Sequence, residues 1–159
     1  MSEYTYFWKP TKANGEFSQW YPSDFKKGKV KFKNAEQWMM WSKAILFNDK
    51  KIAKEILKTI DPKEIRLLGR KVKDFDKEIW NKNKYFIVIE GNYLKFSQNE
   101  ELKDLLLSND TILVEASPFD RIWGIGLSIS NEKHLDPAKW RGKNLLGKAL
   151  MVCRNILKQ

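Results

Sequence analysis

Asp74–Phe96 reads DFDKEIWNKNKYFIVIEGNYLKF, and the fold class turns on it. Tyr85–Ile89 is rich in strand formers, and Gly91-Asn92 would suit a hairpin turn. Against that, Phe75, Ile79, Phe86, Ile89, Tyr93 and Phe96 recur at intervals of three, four and seven, one stripe of a helix. The stripe is the longer signal, so the stretch is predicted as one helix over Asp74–Phe96. Upstream, Asn34 with Gln37 three residues on has the form of a capping box. It opens a helix to about Phe47, with Trp38, Met39, Trp41, Ile45 and Leu46 among its apolar positions. A second helix is expected over Lys50–Thr59, and Asp61-Pro62 opens a third that pauses near Gly69. Downstream come a short helix over Asn99–Leu107, a strand over Thr111–Glu115, glycine-punctuated Ile122–Ile129 and a closing amphipathic helix over Lys143–Leu157. Met1–Phe32 is irregular and aromatic, with extended pieces at Tyr4–Trp8 and Lys29–Phe32. The expected class is mainly α with a small β component, in a single compact domain over residues 1–159.

Composition bounds the chemistry. With 42% hydrophobic residues in 159, the chain can bury a core, which excludes a disordered protein. Thirty Lys and Arg (only five of them Arg) against 20 Asp and Glu leave a net charge of +10. That excess points to an anionic partner, or to a lysine-rich solvated surface. Seven Trp are more than a core needs, which suggests stacking on a flat ligand. His134 and Cys153 are the only residues of their kinds, which removes histidine metal clusters, Ser-His-Asp triads, Cys-His dyads and disulfides. No metal and no cofactor is expected. An acid, base or nucleophile must come from Asp, Glu, Lys, Tyr, Ser or water. His134 is expected in an exposed loop and Cys153 packed in the last helix. Met1–Pro10 lacks the apolar region of a signal peptide, and no stretch is long and apolar enough to span a bilayer, so a cytoplasmic protein without a membrane partner is expected.

Four constellations can carry chemistry. Glu36 and Lys43 lie seven apart on the first helix, on one side, among Trp and Met. A lysine against an apolar aromatic surface has its ammonium disfavoured, and the neutral amine can attack a carbonyl. An exposed ion pair on an ordinary helix fits the same spacing. The string Glu115-Ala-Ser-Pro-Phe-Asp120-Arg-Ile-Trp-Gly-Ile-Gly126 joins a carboxylate, Asp120, to Trp123 and two glycines. Gly124 and Gly126 would let a ligand approach the backbone, Trp123 could stack on its ring, and Asp120 could stabilise charge developing at a sugar C1′. A β-turn with a structural Trp is the plainer alternative. Gly69-Arg70-Lys71 offers a phosphate clamp, or a surface arginine after a helix. Trp140-Arg-Gly-Lys-Asn144-Leu-Leu-Gly147 precedes a helix whose N-terminus could receive an anion, though its spacing is not that of a P-loop.

Together these strings resemble the YbiA-like, or NADAR, family. Phe17-Ser18 with Trp20-Tyr21 is similar to its first motif, and Ala35-Glu36-x-Trp38-Met39 leading to Lys43-Ala44 and Phe47-x-Asp49 to its second. Gly69-Arg70-x-Val72 with Phe75 and Trp80, then Lys95-Phe96-x-Gln98-Asn99, follow in order. Glu115-Ala-Ser-Pro118, Asp120, Trp123-Gly124-x-Gly126 and Trp140-x-Gly142-x-Asn144 complete a likeness spanning residues 5–157. The resemblance implies an N-glycosidase acting on a phosphorylated ribosyl compound: early riboflavin-biosynthesis intermediates or, alternatively, ADP-ribosylated guanine in nucleic acid. A non-catalytic module binding ADP-ribose or NAD is the reading of another class. The implied catalytic residues are Glu36, Lys43 and Asp120. Those implied to hold substrate are Ser18, Trp38, Gly69, Arg70, Ser117, Trp123, Gly124, Gly126 and Asn144, with Trp38 and Trp123 framing the ring and Arg70 holding phosphate. One departure is Gln37, where the family often has His: an amide can hydrogen-bond but cannot carry a proton.

Overall fold

The computed structural model describes residues 2–159, which cluster into two compact units. One is residues 2–21 with Asp104–Gln159, and the other is Pro22–Lys103. The class is mainly α with little strand, as expected.

The Pro22–Lys103 unit opens with a hairpin, β1 (Phe25–Lys27) against β2 (Val30–Phe32), turned at Gly28. Only its second strand was expected, because three-residue strands carry almost no periodic signal. α1 (Ala35–Leu46) follows and packs against the other three helices of the unit, α2 (Lys50–Ile56), α3 (Pro62–Gly69) and α4 (Lys77–Gln98). Each starts on a side-chain cap, those at Asn34 and Asp61 as expected. Asn34 accepts from the Gln37 amide at 2.8 Å, Asp49 from Ile52 at 3.1 Å, Asp61 from Lys63 at 3.0 Å, and Asp76 from Glu78 and Ile79. The Gln37 side chain does not close the box on Asn34. It accepts from the Lys33 amide (2.7 Å) and donates to the Ile56 and Thr59 carbonyls (3.1 and 2.9 Å), tying α1 to the end of α2.

α4 is the single helix expected, but a different stripe faces the core. Phe75, Ile79, Phe86 and Tyr93 are exposed, whereas Val88, Gly91, Asn92, Lys95 and Phe96 are buried. Polar and small residues make this face inward because Trp38 occupies it. A Cβ on Gly91 would overlap Trp38 Cδ1, and the Trp38 indole N–H donates to the Ile87 carbonyl at 2.8 Å. Phe25, Phe32 and Trp38 are the centre of this core, with Val30, Trp41, Ile87 and Leu94 around it.

α5 (Glu100–Ser108) carries the chain out of this unit. In the other unit β3 (Tyr4–Phe7) pairs in parallel with β4 (Ile112–Glu115), Tyr4 opposite Ile112 and Phe7 opposite Glu115. α6 (Leu145–Leu157) packs on β4, and Val114, Ala116, Ile125 and Leu127 form a core with Tyr4, Tyr6, Ile112 and Trp140. Arg154 reaches back from α6 to donate to the Asn109 and Thr111 carbonyls at 2.6 and 2.8 Å, so this arginine serves the fold. Cys153 packs in α6 as expected, and burial pushes its thiol up to about 12, which leaves it inert. His134 corrects the expectation of an exposed loop. It is buried, its Nδ1 lies 2.7 Å from the Asn131 carbonyl, and its ring sits edge-on to Tyr6 at 4.7 Å. Among the described residues no helix is long and apolar enough to cross a membrane.

Candidate functional site

The candidate residues fall into two groups, one in each unit. The first is built on α1. Its cap sets Glu36 in the opening turn and Lys43 two turns later on the same side. Glu36 is buried and Lys43 half-buried. The Lys43 ammonium donates to the Gly69 carbonyl at 2.9 Å, at the end of α3. It also lies over two rings, 4.6 Å from the centroid of Phe75 and 5.7 Å from that of Trp80. Burial lowers the Lys43 pKa from the ordinary lysine value, the Arg70 guanidinium lowers it further, and Glu36 opposes both. The result is a lysine whose neutral amine is easier to reach, beside a carboxylate and an arginine. Gly69 belongs here for a steric reason: a Cβ would overlap the Met40 sulfur. Arg70, just past the end of α3, is exposed.

Trp38 lies on the same helix, but its place is the core. It is 3% exposed, its N–H is bonded to Ile87, and Phe32 and Trp41 pack on it with centroids at 5.1 and 5.9 Å. Gln37 is likewise committed to three backbone partners. Gln37 therefore serves the architecture in this chain.

The second group surrounds the end of β4. Ser117 Oγ accepts from the Phe119 and Asp120 amides at 3.4 and 3.3 Å. Asp120 Oδ1 accepts from the Ile122 and Trp123 amides at 2.9 and 2.8 Å, and its carbonyl accepts from Gly126 at 3.1 Å. The loop is thus wound around two side chains, a stiff turn of the kind short polar side chains build. Trp123 is half-buried. Gly124 is glycine because a Cβ would lie 2.9 Å from the Glu115 carbonyl and from Glu115 Oε2. The close approach is between two protein segments, where the sequence suggested a ligand. Asn144 adopts a left-handed conformation (φ 52°). Its Oδ1 accepts from the Glu115 amide at 3.0 Å and its Nδ2 donates to the Leu113 carbonyl at 3.0 Å. It clamps β4 to the start of α6, and its side chain makes no cap on that helix. Ser18, also buried, accepts from the Trp20 amide at 3.1 Å.

Phe75, Trp80 and Glu115 were not singled out for chemistry. The two aromatics, Phe75 just before α4 and Trp80 in its first turn, stand beside Lys43, a proximity that only tertiary packing creates. Among the described residues no group of three or more His, Cys, Asp or Glu side chains could hold a metal ion.

Comparison with known proteins agrees with the motif order. The NADAR domain matches residues 6–158. A protein named as an N-glycosidase from Acanthamoeba polyphaga mimivirus is 48% identical over 144 residues, covering 87% of this chain and 85% of its own. One so named from Nostoc punctiforme is 29% identical over 154 residues, covering 96% and 92%. A chloroplastic riboflavin biosynthesis protein of Arabidopsis thaliana is 34% identical over 99 residues, 59% of this chain and 15% of its length. The solution structure of YbiA from E. coli superposes with a TM-score of 0.79 at 26% identity, over 98% of this chain and 84% of that one. The motifs, the fold and these relatives agree: the chain belongs to the NADAR domain family, whose named N-glycosidases hydrolyse N-glycosyl bonds.

Proposed function

We propose that this protein is an N-glycosidase cleaving the bond between a base-like ring and C1′ of a phosphorylated ribose, with early riboflavin-biosynthesis intermediates as substrates. The N-glycosidase relatives support the reaction class, and the likeness to the Arabidopsis riboflavin protein supports the substrate. The observation that carries the reading is Lys43, a half-buried lysine between two aromatic faces with its pKa lowered, flanked by Glu36 and Arg70.

The chemistry follows from that lysine. Opening of the ribose ring leaves C1′ double-bonded to the base nitrogen. The neutral Lys43 amine adds to C1′, and two protons pass in turn from Nζ to the base nitrogen, with Glu36 as shuttle. The C1′–N bond to the base breaks, the base departs as an amine, and C1′ is left as an imine of Lys43. Water hydrolyses that imine to the sugar aldehyde and returns the free amine. Net, one water is consumed and the base and ribose phosphate are released. Arg70 offers a guanidinium to the phosphate.

Borohydride added during turnover is expected to reduce the imine to a stable amine, adding the mass of the sugar phosphate to Lys43. Lys43→Ala should lose hydrolysis by about 10²-fold or more, the scale of a lost nucleophile or general base. A variant that hydrolyses near the wild-type rate rules out the covalent route. The net charge of +10 favours a second reading, removal of ADP-ribose from guanine in nucleic acid. A mass-spectrometric hydrolysis assay offering both substrate types separates the two. Tight ADP-ribose binding with release of base from neither would favour a non-catalytic module.

A further inference from the structure

Only five arginines occur in the chain, and Gly126 brings two of them to one point. The segments Arg121–Gly126 and Arg141–Leu146 run beside each other, joined by backbone hydrogen bonds. The Arg141 amide donates to Ile125 (2.8 Å), Lys143 to Arg121 (2.9 Å), Asn144 to Gly124 (3.1 Å) and Leu146 to Trp123 (3.1 Å). Gly142 sits where a Cβ would come within 2.7 Å of Arg121 Cα, so only glycine lets the two segments close. Gly126 has φ +70°, and the position of its missing Cβ lies 3.0 Å from Arg141 Cβ and 3.2 Å from Arg121 Cγ. The stems of the two arginines therefore converge over a glycine that cannot keep them apart.

Both side chains are exposed, and among the described residues neither has an ion-pair or hydrogen-bond partner for its guanidinium. The adjacent carboxylate, Asp120, already accepts two backbone amides through Oδ1. Lys143, also exposed, follows on the second segment. Two arginines rooted this close together on a stiff scaffold can both reach one anion, and each guanidinium adds to its attraction. Guanidinium forks match the tetrahedral oxygens of phosphate better than ammonium does, which is why the arginines carry the argument in a chain dominated by lysine.

We propose that Arg121 and Arg141 form a phosphate-binding site, set by the glycines at 126 and 142. Calorimetric titration of the full chain with inorganic pyrophosphate tests it. R121A/R141A is expected to weaken binding by about tenfold or more, the effect of losing charge-assisted hydrogen bonds. R121K/R141K, which keeps the charge and loses the fork, should fall between. K29A/K31A removes the same charge from exposed lysines elsewhere and should change binding less than about twofold. Equal loss in both alanine pairs, an unchanged R121A/R141A, or no binding by the wild-type chain at millimolar pyrophosphate overturns the site. Ribose 5-phosphate and a short single-stranded oligonucleotide distinguish where the phosphate comes from: the one whose binding depends on the arginines is the source, and dependence in neither overturns the proposal. These readouts are binding constants, so a chain that binds pyrophosphate but releases no base would sink the N-glycosidase reading and leave the site standing.

Discussion

Asn144→Ala separates a structural asparagine from a substrate-binding one. Asn144 is buried, and its amide is shared between the Glu115 N–H and the Leu113 carbonyl, both at 3.0 Å. Alanine leaves a buried donor and a buried acceptor without partners, at about 1–3 kcal/mol each. It must also hold φ 52°, a region that costs a residue with an ordinary Cβ roughly 1 kcal/mol and that asparagine tolerates. Together the loss is about 3–7 kcal/mol, or a fall in Tm of about 6–28 °C for a chain of this length. Asn144→Gly provides the internal check. It loses the same hydrogen bonds but not the conformational fit, so it should be about 1 kcal/mol more stable than the alanine variant, the reverse of the usual order. The assay is thermal unfolding followed by circular dichroism, with KM measured at a temperature where each variant is folded. A Tm within about 1 °C of wild type, accompanied by a raised KM, would refute the clamp and assign Asn144 to the substrate.

Three further predictions concern Lys43 and Gly91. Because burial and Arg70 lower the Lys43 pKa, kcat/KM should rise with pH at a midpoint below the ordinary lysine value of 10.5; a midpoint at or above it contradicts an activated amine. The linkage has the same direction: folding releases a proton from Lys43 between its lowered value and 10.5, so this residue's contribution makes the protein more stable as pH rises through that window, a trend Lys43→Met should abolish. Gly91→Ala should destabilise despite alanine's higher helix propensity, by about 1–3 kcal/mol, because the methyl overlaps the buried Trp38 ring. Urea unfolding measures it, and a midpoint equal to or above wild type refutes the packing account.

The caps at Asn34 and Asp61 were legible because a cap is a local device that bonds within three residues, so sequence neighbours suffice. The start of α4 was not: the helix was expected from Asp74, which is left-handed (φ 56°), and the cap is Asp76. The inward face of α4 was not legible. Its hydrophobic stripe is largely exposed, and the buried side carries Gly91, Asn92 and Lys95. What selects that face is an indole from a helix about fifty residues away, and periodicity within α4 holds no information about it. The site divides in the same manner. The spacing of Glu36 and Lys43 places them on one side of a helix, but Phe75, Trp80 and the Gly69 carbonyl reach Lys43 through packing alone.

The sequence by itself determined the helical class, the caps at Asn34 and Asp61, the exclusion of histidine and cysteine chemistry and the family, all of which reside in composition, local caps and motif order. Only the tertiary structure decided what the motif residues touch. Trp38, Gln37, Gly124 and Asn144 have residue types that suit a ligand, yet each meets its partners within the protein. A side chain's chemistry is written in its type, but whether it faces a ligand or a neighbouring segment depends on what folding brings within 3 Å of it.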